Sequence, residues 1–311
     1  MSASRAAPSV MFHHFCDAIH PRGQGAINAN ELAQLIEWLG RDRLLGAPEW
    51  LDHAACGKDL TGKLCLTFDD ALLCQYDVAR PVLECFGLTG FYFVYTGYIF
   101  DDIPARLENY RYFRTVFFDT VDDFYVQFIA MCIAQHGDGA AEYFKNFDRA
   151  RYPEYAPYYS DNDVLFQQMR DEFLGEQKYF AIMDAMIAER GLSPSDLCQK
   201  TMMTRDQMKA LVDAGNIVGL HSHSHPTRLA ELPFERQIDE YRRNVDAVTQ
   251  ITGVAPVAIS HPCNSYTAAG LDVLSELGIH TGFRADVNQI DFSNLEFPRE
   301  DHSTLMRIMR A

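Results

Sequence analysis

The chain has 311 residues, of which 48% are hydrophobic and 23% charged, so it is long and apolar enough for a large folded domain. Its 43 acidic residues outnumber the 27 basic ones and give a net charge of −16, which argues against nucleic acid or an anionic membrane surface as the main partner. Its apolar runs fall short of the roughly 18 residues that indicate a membrane span. We therefore expect a globular protein without a membrane span.

The N-terminal third of the chain alternates strand and helix patterns. The apolar stretch PSVMFHHF predicts a short strand, and residues 28–45 carry apolar side chains at helical spacing behind an Asn cap. KLCLTFDD is a run of β-forming residues that ends in two acids, as in a strand buried on both faces. A helix that stops at Gly87 follows, and then the strand TGFYFVYTG. Strand, helix and strand with short links predict a parallel βαβ unit.

The same alternation returns in the last third of the chain. The strand patterns are NIVGLHS, PVAISHP and IHTGFRA, and helix patterns cover residues 204–215, 233–253 and 267–278. Repeated strand–helix units around one core predict a barrel-like or open parallel α/β fold, with residues 1–311 forming a single domain. Functional side chains then belong at the carboxyl ends of the strands.

Residues 101–200 interrupt this rhythm, and we predict a helical insertion there. Amphipathic patterns cover residues 122–137, 162–174 and 179–191, without a convincing strand. The insertion either builds a substrate wall or serves packing alone, and the pattern leaves both open. Its linker has tyrosines compatible with a sugar platform or with ordinary packing. They are Tyr152, Tyr155, Tyr158 and Tyr159.

The stretch VGLHSHSHPT places three histidines at every second position, His221, His223 and His225. On a straight strand the outer two would lie about 13 Å apart, too far for one ion with bonds of about 2 Å. If the chain instead turns helically after Leu220, positions i and i+4 come within about 6 Å on one face, and His223 points away. Two imidazoles plus a carboxylate from elsewhere would leave a coordination position open, as in a catalytic site.

The motif TFDD, at the end of a predicted buried strand, offers that carboxylate. Two adjacent acids at such a place, Asp69 and Asp70, repel each other, and a cation resolves the conflict by binding one and leaving the other as a base. Each half of the pattern is common without a metal, because His-rich loops are often exposed and paired acids often cap helices. Together, at strand ends of one α/β fold, they predict a metal site.

These motifs resemble those of the polysaccharide deacetylase (NodB-homology) family, carbohydrate esterase family 4. TFDD with the helix and strand after it resembles the first motif, and AGNIVGLHSHSHP resembles the second, whose usual form is H-[ST]-x-x-H-P. AISHPCNSYT resembles a variant of the third segment. The likeness covers roughly residues 60–100 and 200–305. It implies a distorted (β/α) barrel of the NodB-homology type, here with the helical insertion.

The resemblance also implies roles for the matching residues. Asp70, His221 and His225 match the metal ligands, and Asp69 matches the base that deprotonates the attacking water. The backbone N–H of Cys263 matches the donor that stabilises the oxyanion, an interaction typically worth a few kcal/mol.

Three further histidines are candidates for the surroundings of the ion. The family's late histidine, which protonates the leaving amine, has its candidate in His302, where the neighbouring Asp301 would set the tautomer. The alternative for His302 is a surface position in a polar loop. His14 in FHHF is expected to face the site or, more simply, to pack in the core or at the rim. His223, turned from the ion, is expected as a rim or supporting group.

The chain departs from the family pattern in the third segment. The usual Tyr after the proline is Cys263, which keeps a backbone donor but not a side-chain contact. The following Gly is Asn264, which tolerates positive φ better than most residues. The Arg that commonly orients the base is absent, with Ser260 and His261 in its place, and our candidates for that task are Arg299 and Arg284.

The resemblance implies a metal-dependent hydrolase that removes an N-acyl group, acetyl or formyl, from an amino sugar. Two imidazoles and one carboxylate suit Zn, and Co, Ni or Fe fit the same set. Eight cysteines without a CxxC pair and no secretory core at the N-terminus favour the cytoplasm. We therefore expect a small carbohydrate substrate, such as a nucleotide- or lipid-linked sugar of surface-glycan synthesis. Two alternatives stay open: an amidohydrolase or deformylase of small amides, and an inactive barrel used for binding.

Overall fold

The computed structural model of the chain describes residues 8–151, 160–287 and 292–311. The tyrosines that are compatible with a sugar platform or with ordinary packing, at positions 152, 155, 158 and 159, lie outside the described residues. The chain divides into two compact units, one made of residues 1–103 and 201–311 and the other of residues 104–200. None of the helices in the described ranges is long and apolar enough to cross a membrane.

The first unit contains a sheet of parallel strands in the order β6-β5-β4-β3-β2-β1-β7. The strands are β1 (Ser9–Phe12), β2 (Leu66–Phe68), β3 (Phe91–Val94), β4 (Ile217–Leu220), β5 (Ala258–Ser260), β6 (Thr281–Phe283) and β7 (Arg299–Asp301). Six of them are short, mainly apolar runs, as expected for parallel strands covered on both faces, whereas β7 has the charged sequence Arg-Glu-Asp.

The sheet curls until its two edges almost meet. Just before β7, the N–H of Phe297 donates to the carbonyl of Gly282 at 2.8 Å, and the N–H of Arg284 donates back to the carbonyl of Phe297 at 3.1 Å. These bonds join β6 to the segment that leads into β7. The expected distorted (β/α) barrel is therefore confirmed.

Helices of the described residues alternate with the strands and build the second unit. In chain order they are α1 (Ala29–Leu39), α2 (Ala47–Ala55), α3 (Arg80–Phe86), α4 (Gly97–Phe100), α5 (Arg106–Val116), α6 (Val121–His136), α7 (Asp138–Lys145), α8 (Asp161–Gln168), α9 (Gly175–Glu189), α10 (Pro194–Thr201), α11 (Arg205–Asp213), α12 (Phe234–Thr252), α13 (Ala268–Glu276) and α14 (His302–Arg310). The first helix ends earlier than the pattern to residue 45 predicts, because Gly40 has a φ of 89°.

The unit of residues 104–200 has its own hydrophobic core, built by helices α5 to α10 without a strand among its described residues. Aromatic and methionine side chains fill this core, including Phe113, Phe124, Phe128, Phe166 and Met183. After α8 the chain continues as a π-helical turn, Met169–Leu174. The expected helix over residues 162–174 is thus an α-helix followed by this wider turn.

The barrel unit brings the predicted motifs to one edge. Aromatic side chains pack in its core, among them Trp50, Phe91, Phe93 and Phe283. Because β2, β4 and β5 are parallel and belong to one sheet, their carboxyl ends lie on the same side. The acids after β2, the histidines after β4 and the segment after β5 therefore meet there.

Candidate metal centre

Asp70, His221 and His225 form a cluster at this edge of the barrel. The Oδ1 atom of Asp70 lies 3.2 Å from the Nε2 atom of His221 and 3.2 Å from the Nε2 atom of His225. The two imidazole rings are 4.9 Å apart between centroids. All three side chains are largely shielded from solvent, and one donor atom from each lies within 4.8 Å of the others.

The backbone reaches this arrangement through left-handed residues. Asp70 and Ala71 have φ values of 79° and 57°, and Ser222 and His225 both have a φ of 57°. The sequence predicted a helical turn after Leu220. The structure has no helix there and reaches the arrangement through these left-handed residues instead. Residues with a Cβ are disfavoured in this region, and such outliers concentrate at functional sites.

The three side chains fit a divalent ion. Ligands of a tetrahedral ion with bonds of about 2.1 Å lie about 3.4 Å from one another, close to the two 3.2 Å separations observed. The Oδ1 atom of Asp70 is buried and accepts no well-aligned hydrogen bond from a described residue. The Nδ1 atom of His221 donates to the carbonyl of Ser260 at 2.8 Å, which leaves Nε2 as the nitrogen available to a metal ion.

Asp69 has a different environment, built by Arg299 on β7. The guanidinium of Arg299 donates to both carboxylate oxygens of Asp69, at 2.8 and 2.7 Å. The hydroxyl of Ser260 donates to Asp69 at 2.9 Å and accepts from Arg299 at 2.7 Å. Where the family has an Arg at the position of Ser260, this chain places a guanidinium in the same contact from another strand.

The two adjacent acids are both ionised. Burial alone raises the pKa of each, but the contacts of His221 and His225 outweigh it and hold the pKa of Asp70 well below its usual value. For Asp69, the charge of Arg299 is the main effect that opposes burial, and the pKa is lowered. Asp69 thus stays a carboxylate although it is 2% exposed.

Of the two arginines that we considered for Asp69, only Arg299 contacts it in the described structure. Arg284 is also buried, but its guanidinium lies 3.8 Å from Asp286. The backbone carbonyl of Arg284 accepts a bond of 3.0 Å from Nε of Arg299. Arg284 therefore supports Arg299 rather than the acid.

The segment after β5 makes a tight left-handed turn. Cys263 and Asn264 have φ values of 49° and 58°, so the turn is kept although the usual glycine is absent. Asn264 stabilises it by accepting the N–H of Ala285 at 3.0 Å. Desolvation of the sulfur and, after it, the charges of Asp70 and Asp69 raise the pKa of the Cys263 thiol to about 11.

His13 is a neighbour of the cluster that the sequence reasoning missed. Its Nε2 atom lies 3.7 Å from Oδ2 of Asp70, and its side chain is 29% exposed. Burial lowers its pKa, against the opposing charge of Asp70. His14, the candidate named from sequence, stacks on His13 with 6.2 Å between ring centroids. Strand alternation was the signal that could have identified His13. Met11 pairs with Thr67 in parallel strands, so the residues two positions further on, His13 and Asp69, lie on the same face.

His302 lies elsewhere, which corrects the expectation that it donates a proton at the site. Its ring stacks on Phe12 with 5.2 Å between centroids. Its Nε2 and Nδ1 atoms face the backbone carbonyls of Gly25 and Met11, at 2.8 and 3.3 Å. Residue 302 begins α14, directly after β7. Side chains alternate between the two faces of a strand, so position 302, three residues after the inward Arg299, faces the opposite side, where its ring meets Phe12 of β1.

His223 is buried and turned away from the cluster, as reach to one ion required. Its ring bonds to the hydroxyl of Thr96 at 2.9 Å and to the carboxylate of Asp101. Both ring nitrogens are thereby occupied, so His223 is not among the three converging donors.

Part of the chain is similar to a known family. Residues 179–282, about a third of the 311 residues, match the family model described as polysaccharide deacetylase. A curated relative, the peptidoglycan deacetylase of Helicobacter pylori, is 31% identical over 81 residues. That match spans 26% of this chain and 26% of the relative's length.

Solved structures show the same fold at low sequence identity. The deacetylase PplD of Streptococcus pyogenes has a TM-score of 0.54 at 14% identity, covering 94% of this chain and 91% of that one. IcaB of Ammonifex degensii has a TM-score of 0.53 at 14% identity, covering 98% and 96%. A de-N-acetylase of Aggregatibacter actinomycetemcomitans has a TM-score of 0.53 at 12% identity, covering 97% and 98%.

Proposed function

We propose that this protein is a metal-dependent N-deacetylase of an amino sugar. The observation that carries the proposal is the pairing of two adjacent buried acids in opposite surroundings. Asp70 converges with two imidazoles, whereas Asp69 lies outside this cluster and is held as a carboxylate by Arg299. The names of the relatives, a peptidoglycan deacetylase and a de-N-acetylase, support the same chemistry.

Asp70, His221 and His225 would hold the ion, and zinc suits this donor set best. When bound, the ion would lower the pKa of a water and polarise the amide carbonyl. Asp69 would accept the proton of the attacking water, since Arg299 and Ser260 fix its orientation. The backbone N–H of Cys263 would donate to the oxygen that becomes negative in the tetrahedral intermediate.

The proton for the leaving amine needs a donor near the acids, and we assign it to His13. This imidazole lies beside Asp70 and is partly exposed, so a substrate can approach it. His302, with its ring nitrogens facing backbone carbonyls behind β1, does not meet that requirement. Proton transfer by a positioned side chain contributes roughly 10²–10⁴ in rate.

For the substrate we propose a small N-acetylated sugar, linked to a nucleotide or a lipid, and we place the protein in the cytoplasm. The eight cysteines are unbridged, which is typical of a reducing compartment. The alternative of an inactive barrel was supported by the absence of the family's arginine in the third segment. Arg299 on β7 supplies a guanidinium that contacts Ser260 in that segment.

The test is a panel of N-acetylated nucleotide sugars, their N-formyl counterparts and short simple amides. Acetate or formate release is measured before chelation, after chelation and after addition of zinc. We expect acetate from an N-acetyl sugar, loss of release on chelation and recovery with zinc. Hydrolysis of simple amides alone would favour the amidohydrolase alternative. A protein that binds no metal and releases no acid would contradict the proposal.

A further inference from the structure

His223 is the histidine of the HSHSH motif that neither the ion nor the reaction uses. It is 2% exposed and stands between the two histidines of the candidate metal centre. Its backbone carbonyl accepts from the N–H groups of Thr96 and Gly97, at 3.0 and 2.7 Å. Its own N–H donates to a carboxylate oxygen of Glu240 at 2.9 Å. Ring and backbone thus tie one residue to the end of β3 and to α12.

The neighbouring groups fix the tautomer of His223. The Oδ1 atom of Asn244 accepts the N–H of His221 at 3.0 Å, so its Nδ2 faces the hydroxyl of Thr96, to which it donates at 3.0 Å. The carboxylate of Asp101 can only accept, so Nε2 of His223 carries the proton that it donates there. Nδ1 is then the acceptor, and the hydroxyl of Thr96 donates to it at 2.9 Å.

Asp101 is held in turn from α12. The guanidinium of Arg243 donates to the same carboxylate oxygen that accepts from His223. One turn earlier on this helix, Glu240 accepts from the backbone N–H and the hydroxyl of Ser224, at 2.8 and 2.6 Å. The loop between the two histidine ligands is therefore clamped on both sides of His223.

The loop needs such support because its backbone is unfavourable. Ser222 and His225 both adopt a φ of 57°, a region that residues with a Cβ avoid. Without outside contacts the loop would relax and separate His225 from Asp70. Outer groups of this kind orient metal ligands and commonly change metal affinity.

We infer that His223 is a positioning residue that preorganises His221 and His225 for the ion, through its bonds to Thr96 and Asp101. The inference rests on the proposed metal centre, but it concerns metal affinity rather than the identity of the substrate. The assignment makes the middle histidine of the motif part of the ligand geometry without contact to the ion.

The test is cobalt(II) binding by the metal-free full-length protein, followed by the visible absorption of the bound ion. We expect H223A to bind cobalt about 10–100-fold more weakly than wild type and to give an altered spectrum. The melting temperature of the metal-free protein is measured in parallel. A role in stability alone would lower that temperature while leaving affinity and spectrum unchanged, and this outcome would overturn the inference.

D101N provides a second variant at a more exposed position, should H223A fail to fold. It removes the charge that accepts from His223, and we expect cobalt affinity to fall about tenfold. D239N is the matched control, because Asp239 lies 3.8 Å from Arg243 on the same helix but has no contact with His223 among the described residues. Equal affinities for D101N and D239N would contradict the assignment.

The outcomes separate this inference from the proposed function. If the wild-type protein binds cobalt but hydrolyses no N-acyl sugar, the proposed function is contradicted, and the cobalt affinities of the variants still decide the positioning role. Active wild type with unchanged affinity in H223A would remove the positioning role alone. Failure of wild type to bind cobalt would overturn both.

Discussion

Two neighbouring aspartates have different surroundings, and the proposed chemistry depends on this difference. Asp70 is turned by its left-handed backbone toward His221 and His225, while Asp69 points to Arg299. Identical side chains thereby become a candidate ligand and a candidate base. Adjacent titratable groups with opposite environments are a common basis for dividing roles in an active site.

The assignment of His13 as proton donor is testable against its neighbour. We expect H13Q to lower kcat by about 10²-fold or more on the N-acetyl substrate, because the leaving amine loses its acid. H14Q is the control, since the ring of His14 stacks on His13, whereas the approach of 3.7 Å to Asp70 is made by His13. A kcat for H13Q equal to that of H14Q would show that another group donates the proton.

At this scale the sequence predicted the residues better than their contacts. The spacing argued against His223 as a ligand, although the helical turn that the argument assumed is not formed, and the family resemblance supplied Asp69, Asp70 and Cys263. The pairing of Arg299 with Asp69 depends on the position of β7 beside β1, at the other end of the chain. No local pattern encodes that closure, so two arginines remained equivalent until the strand order was known.

At the scale of elements, strand ends and the turns after them decide the site. Strand–helix alternation predicted most barrel elements, because continuous apolar runs and helical spacing are local signals. The turns escaped prediction. Ser222 and His225 take left-handed φ values that their residue types do not favour, and the surrounding bonds stabilise them.

Closure of the barrel depends on a close approach at Gly282. A Cβ at this position would lie 2.6 Å from the carbonyl carbon of Leu295, which belongs to the segment bonded to β6. We expect G282A to lower the free energy of unfolding by about 1–3 kcal/mol, since backbone must shift to relieve the overlap. Denaturant titration measures the change.

G139A is a suitable control for that experiment. Its new methyl group would meet only the ring of Phe173, at the ordinary contact distance of 3.8 Å. Helix propensity favours alanine there, so stability should be unchanged or slightly higher. If G282A were as stable as G139A, the barrel edge would not be as tightly packed as described.

At the scale of the whole molecule, pH acts on stability through a buried histidine. Burial lowers the pKa of His261 to about 4, against the bond to the carbonyl of Leu295. Between pH 6.5 and about 4 the unfolded chain binds a proton that the folded chain does not, so stability falls as the pH falls. We expect His261 to contribute a loss of about 2 kcal/mol from pH 7 to pH 5.

H261Q isolates this contribution, because glutamine keeps an N–H donor for Leu295 and does not titrate. We expect wild type to lose about 2 kcal/mol more than H261Q between pH 7 and pH 5, measured by denaturant unfolding at both values. Parallel losses in the two proteins would mean that other groups set the acid sensitivity.

The overall architecture joins a barrel unit that carries the whole candidate site to a helical unit of residues 104–200 with its own core. The barrel could be predicted from its alternation and motifs. The helical unit could be predicted as helices, but its composition holds no motif that names a ligand. The choice of substrate is therefore the part of the function that is hardest to predict from the sequence.

The central claim is that Asp69 acts as a base beside an ion that it does not hold. Asp69→Asn tests it most directly, with metal content and N-acyl hydrolysis measured on the same preparation. We predict unchanged metal content and a loss of activity of about 10³-fold or more, because the amide cannot accept the proton of water. Asp70→Asn, in contrast, should lose both the metal and the activity. Activity of Asp69→Asn within tenfold of wild type would contradict the account.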